Sequence, residues 1–207
     1  MEPNSKKNEV THSKRMEALS DGIFAIAATL LVLEIKVPEL KDTSTHQLIE
    51  SLKEIAPSLI AFIFSFLNIL IFWVNHDNIG KVLIYFDSKL TYLNVVFLLL
   101  ISLVPFTTAF VSRYPFSLIA ISIYGFVFLL TALIAAIMYY YIAFKSRLML
   151  DKITLQSRKR IWKRVIMGPV FFALAIILGC FHVLIPIFIY ILVPLLFLVM
   201  PKIEFQE

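Results

Sequence analysis

Residues 15–34 read RMEALSDGIFAIAATLLVLE: an arginine, the pair Ser20 and Asp21, then twelve uncharged residues before Glu34. As a helix rising 1.5 Å per residue this stretch is about 30 Å long, the depth of a bilayer's hydrocarbon core. Ionisable residues that enter a membrane helix are costly and mark function. The segment is therefore read as a first spanning helix over 15–37, with a polar mouth at Ser20 and Asp21.

Composition extends that reading to the whole chain. Of its 207 residues 60% are hydrophobic, and the mean hydropathy is +0.88, well beyond the roughly 45–50% apolar content of soluble domains. Four further stretches carry no Asp, Glu, Lys or Arg: 55–76, 90–112, 114–144 and 165–201. The last would reach about 55 Å as one helix and must fold back on itself. His182 and Pro186 mark the turn, since proline removes a donor and disfavours helix in the residue before it.

The expectation is an all-α polytopic membrane protein with six transmembrane helices in one subunit, 1–207. It comprises a segment 1–14, helix 1 at 15–37, an outer loop 38–56, helices 2 to 4 within 57–144, a basic loop 145–164, helices 5 and 6 within 165–201, and a tail 202–207.

Basic residues gather in the loops that face the cytoplasm. With the N-terminus inside, fifteen of the 19 Lys and Arg fall on inner segments, and only Lys36, Lys41, Lys53 and Arg113 lie outside. Both termini are thus expected in the cytoplasm, in a multi-pass membrane protein. The run Arg158–Arg164 belongs to this charge asymmetry and reads as stop-transfer and contact with the lipid bilayer, not nucleic acid. Cys180 sits in an apolar run and reads as a buried inert thiol. The apolar segment after Arg15 continues as a span without a small-residue cleavage pattern, so no cleavable signal is expected. In the outer loop Leu48, Ile49, Leu52 and Ile55 form a short amphipathic pattern, suited to the interface or to a neighbour.

Several chemistries lack their residues. No phosphate loop, HExxH pair or nucleophile elbow occurs, and His12, His46, His76 and His182 fall on separate segments, so neither a metal site nor a cofactor is expected. Five glycines and no TVGYG leave no carbonyl-lined potassium filter. A channel built from this chain would have to select with side chains.

With Ile26 at zero on a wheel of 100° per residue, Leu19, Gly22, Thr29, Leu30 and Leu33 fall within about 60° of it, while Ser20 and Asp21 point well away. From periodicity alone the stripe is the lipid- or core-facing side of an ordinary span.

Arg15, then Leu19-Ser20-Asp21 opening an apolar helix that ends Leu33-Glu34-Ile35, resembles the signature of the potassium channels related to transmembrane protein 175. There a phenylalanine usually stands where this chain has Leu19. Trp73 and His76, in Phe72-Trp-Val-Asn-His-Asp77, are similar to that family's pair near the cytoplasmic end of the second helix. The resemblance implies a homotetramer whose first helices line a central pore, closed by rings of apolar side chains. Carried onto this sequence, the constriction is Ile26, with Leu30 and Leu33 further out and Thr29 as a candidate hydroxyl layer. Membrane threonines also bond their own helix's carbonyls, so both roles stand for Thr29.

A narrow ring of isoleucine excludes water and blocks ions, and a small widening wets it. K⁺ sheds its water more readily than Na⁺, which is how such a throat would select. The implied function is passive K⁺ conduction, with other monovalent cations and protons as further permeants. Arg15, Ser20, Asp21, Trp73 and His76 share one end of helices 1 and 2 and read as a polar network holding the pore helix. His76 with Asp21 also suits proton sensing, because histidine titrates near neutral pH. The alternative is an ion- or proton-coupled secondary transporter, which would need polar groups near the midplane. Asn68, Thr131 and Asn94 are the available ones.

Overall fold

The computed structural model describes residues 3–38 and 44–199. Lys41, Lys202, the middle of the outer loop and the tail 202–207 lie outside the described residues. Six helices follow one another: α1 Pro3–Leu30, continued by a 3₁₀ turn over Leu31–Glu34, α2 Thr45–Gly80, α3 Ser88–Arg113, α4 Leu118–Tyr140, α5 Leu155–Gly179 and α6 Leu184–Val199. A π-helical turn, Tyr141–Lys145, extends α4. Among the described residues the only strand-like pairing is one isolated bridge. The fold is all-α, and the chain is a multi-pass membrane protein. Five helices are long and apolar enough to cross a bilayer, and α6 has 16 described residues, about 24 Å.

Charge-free stretches mark the spans but not where helices begin. Helix α1 starts twelve residues before Arg15, because no proline or glycine interrupts 4–21. Helix α2 absorbs residues 45–56, nearly two thirds of the expected outer loop. At 36 residues it is about 54 Å long, and Leu48, Ile49 and Leu52 are exposed on its first turns. Helix α5 opens at Leu155, so its first turns carry the basic run. The 165–201 stretch does fold back, with His182 in the turn. Its Nδ1 accepts the Leu184 N–H at 3.2 Å, and Pro186 occupies the first turn of α6, where a missing N–H does no harm. Cys180 lies at this turn and is exposed. The expectation of a buried thiol fails because the apolar run around it belongs to two helices whose junction faces outward.

One end of the bundle gathers the start of α1, the α2–α3 and α4–α5 connections and the start of α5; it is called the basic end below. The two connections pair as an antiparallel bridge, Ile84 N–H to the Leu148 carbonyl at 2.7 Å and Leu150 N–H to the Val82 carbonyl at 3.0 Å. Arg158 clamps it from within, donating to the carbonyls of Ile153 at 3.1 Å and Ala143 at 3.0 Å. That arginine therefore does not belong to the lipid-facing charge expected of its run. Asp87 caps α3 by accepting the Leu90 N–H at 2.7 Å and also accepts the Tyr141 hydroxyl at 2.5 Å. Ser13 accepts the Phe86 N–H at 3.0 Å, which fixes α1 to the same connection.

The core lies around α4, where Tyr124, Phe128, Thr131 and Tyr139 are buried. Phe128 stacks between Phe72 of α2 and Phe172 of α5. Against this inner group α3 packs, and α1 packs on α3 and α2 through one side only.

Candidate functional site: the first helix and its polar anchor

The two sides of α1 differ sharply in burial. Phe24, Ala27, Ala28 and Leu31 are buried against α2 and α3, whereas Ile26 is 59% exposed, Leu30 43% and Leu33 70%. Leu19, Gly22 and Thr29 are exposed on the same side as Ile26. The stripe expected from the wheel is thus the side of α1 that its own subunit leaves uncovered. At 120° per residue, the closing 3₁₀ turn sets Leu33 almost directly above Leu30, which keeps both on the stripe. The Thr29 hydroxyl donates to the carbonyls of Ala25 at 2.9 Å and Ile26 at 3.0 Å.

The polar residues near the basic end form two ties. In the first, His76 of α2 meets the Asn94 side-chain oxygen at 2.8 Å, and the Asn94 amide donates to Ser20 of α1 at 3.1 Å. Ser20 in turn donates to the Met16 carbonyl at 2.8 Å. A carboxamide oxygen only accepts, so His76 carries its proton on Nε2 in this arrangement. In the second tie the Trp73 indole N–H donates to the Asp21 carboxylate at 2.9 Å. Arg15 is exposed toward the stripe side of α1, and the structure does not bring it into either tie.

Asn94 is fully buried and joins three helices. Sequence reasoning noticed it only as a midplane polar residue; the signal available was that a lone amide in an apolar span needs partners. Phe97 stacks on the His76 ring at 5.7 Å, and Phe24 approaches it at 5.8 Å. His76 is therefore held by two aromatic rings and one hydrogen bond. Among the described residues no group of three His, Cys, Asp or Glu is arranged to hold a metal.

Chemically, the uncovered side of α1 offers a column of branched apolar side chains, and behind it hydrogen bonds tie α1 to α2 and α3. Residues 15–105 match the family model described as endosomal/lysosomal potassium channel TMEM175. The chain is 38% identical over 174 residues to a potassium channel of Chamaesiphon minutus, covering 83% of this chain and 86% of that one. It is 25% identical over 177 residues to the endosomal/lysosomal proton channel TMEM175 of Gallus gallus, covering 35% of that protein. Its fold superposes on the crystal structure of a lysosomal potassium-selective channel TMEM175 homolog from Chamaesiphon minutus with a TM-score of 0.80, at 34% identity over 91% of this chain and 97% of that one.

Proposed function

Since the chain belongs to the TMEM175 family, we propose the route by which this potassium channel conducts: a central pore between four copies of the subunit, lined by the uncovered side of α1. The observation that carries this reading is the burial contrast across α1. A column of large apolar side chains left bare for the length of a span must meet lipid or other copies of itself. Only the second gives a passive cation path in a chain without a carbonyl filter. Ile26 forms the constriction, Leu30 and Leu33 extend it outward, and Thr29 adds one hydroxyl per subunit.

Ser20, Asp21, Trp73 and His76 hold α1 in rotation so that Ile26 stays on the axis, and Arg15 stands at the inner mouth of the pore. The basic end faces the cytoplasm with both termini, as the distribution of Lys and Arg supports, and the membrane is that of a bacterial cell. Potassium is the main permeant ion, other monovalent cations and protons pass less readily or under other conditions, and no cofactor takes part. The likeness to channels favours this reading over a coupled transporter.

The experiment is the reversal potential of the purified protein in a planar bilayer with K⁺ on one side and Na⁺ on the other. A current reversing toward the K⁺ potential is expected. Silence in the bilayer, together with uptake in liposomes that needs a proton or sodium gradient, would replace the channel by the transporter.

A further inference from the structure

A second file of polar groups runs through the subunit's interior, away from the bare side of α1. At the basic end a cavity of about 230 Å³ is lined by Glu17, Asp21, Asp77 and His76. His76 also lines a narrower cavity of about 60 Å³ that reaches along α2 past Asn75 to Asn68, two turns deeper. That space accommodates a few water molecules, with two amides and an imidazole as their partners. Beyond it Asn68 faces the Tyr124 hydroxyl, which lies 3.0 Å from the Ser65 hydroxyl, and the Thr108 hydroxyl lies 2.8 Å from both Ser65 and its own helix's Val104 carbonyl. Tyr124 then joins Tyr190 in lining a third cavity of about 220 Å³, beside Pro57 and Pro115 toward the opposite end of the bundle.

All four residues at the centre are buried: Ser65, Asn68, Thr108 and Tyr124. Packing alone does not require this arrangement. Within the spans Thr131 bonds only its own helix at Val127 and Ser102 only at Leu98, whereas Thr108 reaches both its own Val104 carbonyl and Ser65 of another helix, each at 2.8 Å. Here three hydroxyls from α2, α3 and α4 converge where two cavities approach each other from opposite ends. Buried polar groups cost stability unless every member is partnered, so such a cluster in a core of leucine and phenylalanine calls for a use.

The file suits one permeant. Phe72 and Phe97 wall the middle cavity, and a cation that must keep a full shell of oxygens finds only the two carboxamides of Asn68 and Asn75 there. A proton needs only hydroxyls, an imidazole and water in sequence. We propose that each subunit carries its own proton path, from the cavity at His76 through Asn68 and Tyr124 to the cavity at Tyr190, separate from the route along α1 taken by K⁺. The proposal rests on the channel reading above and divides its permeants between two routes.

A proton reaches His76 from water beside Glu17, Asp21 and Asp77, the last paired with Lys81 at 2.6 Å. His76 takes it on Nδ1 and releases it to water in the middle cavity, where the Asn68 amide orients the donor. The Tyr124 oxygen accepts on a lone pair and gives up its own hydrogen to water in the outer cavity, so no charge remains on the ring. The proton gradient alone drives the transfer.

The test measures two fluxes on the full chain. Proton flux is read in liposomes with an enclosed pH dye and the potential clamped by valinomycin and K⁺; K⁺ current is read in planar bilayers. Tyr124→Phe and Asn68→Leu are each expected to cut proton flux by about tenfold or more, the order of effect of losing a proton-transfer group, and to leave K⁺ current as in the parent. Ile26→Phe, which narrows the constriction, is expected to do the reverse. Proton flux that survives both interior substitutions, or falls together with K⁺ current in Ile26→Phe, overturns the proposal. So does a parent protein that passes K⁺ but no protons, a result that leaves the potassium reading standing. K⁺ current also reports folding, and if Tyr124→Phe loses it, Asn68→Leu decides.

Discussion

The two sides of α1 are almost equally apolar in sequence, yet one is sealed inside the subunit and the other is bare. Phe24, Ala27, Ala28 and Leu31 are buried against α2 and α3, while Leu19, Ile26, Leu30 and Leu33 are left exposed by their own chain. The sealed side sets two alanines between Phe24 and Leu31, which lets α1 approach its neighbours closely. The bare side uses branched residues, large enough to meet across the axis of the proposed pore. Hydrophobicity alone therefore does not say which side of a membrane helix is structural; residue size and the placement of the nearest polar anchor do.

The anchor on the sealed side gives the largest expected effect. Replacing Asn94 by Leu removes the partner of His76 and of the Asn94-directed face of Ser20 at a buried junction, at a cost of about 2–3 kcal/mol. A lowered melting temperature of the purified protein in detergent checks this. A melting temperature equal to the parent's would mean that α1 is held by its apolar contacts alone.

With the bare side lining the pore as proposed, its effect belongs to conduction. Ile26→Asn should wet the constriction, and a barrier lowered by about 1.4 kcal/mol raises flux about tenfold. The same change at Ala28, on the sealed side, places an amide among apolar neighbours and should reduce folded protein instead of raising K⁺ leak. Equal leak from both substitutions, measured as K⁺ efflux from liposomes, would erase the functional difference between the two sides. At the boundary between them, Trp73→Phe deletes the N–H that Asp21 accepts while keeping the ring's bulk. Because that pair is exposed, a loss of about 0.5–1 kcal/mol in stability is expected.

How much of this was legible in the sequence depended on how local the signal was. The stripe of Ile26, Leu30 and Leu33 could be read because helical periodicity relates residues within a few turns, and the 3₁₀ ending did not displace it. Asn94 could not be assigned a partner, since Ser20 lies 74 residues away and His76 on a different helix. Arg158 looked like its basic neighbours, and only the fold shows that it turns inward to two carbonyls. Cys180 is exposed where its sequence context suggests burial for the same reason: an apolar run does not reveal which of its residues occupies a turn. What the sequence withheld in each case was a direction in space set by contacts between distant helices.

Thr29 offers the finest test of the bare side. Its hydroxyl hydrogen is shared between the Ala25 and Ile26 carbonyls, an arrangement that at first favours a purely self-satisfied residue. A cation, however, seeks lone pairs and has no use for that hydrogen. Donating backward along the helix turns the oxygen's free lone pairs away from the backbone, and the residue is exposed on the stripe side. The two roles are therefore compatible, and in the proposed pore four such oxygens replace part of the water that K⁺ sheds beside Ile26. Thr29→Val keeps the shape and removes the oxygen, so the expected change is small, about 0.5 kcal/mol or a factor of about two in K⁺ over Na⁺ permeability. Thr29→Ser should retain the parent's reversal potential. If valine and serine leave the same selectivity as threonine, the apolar rings alone discriminate between the ions, and the polar role of the first helix ends at its anchor.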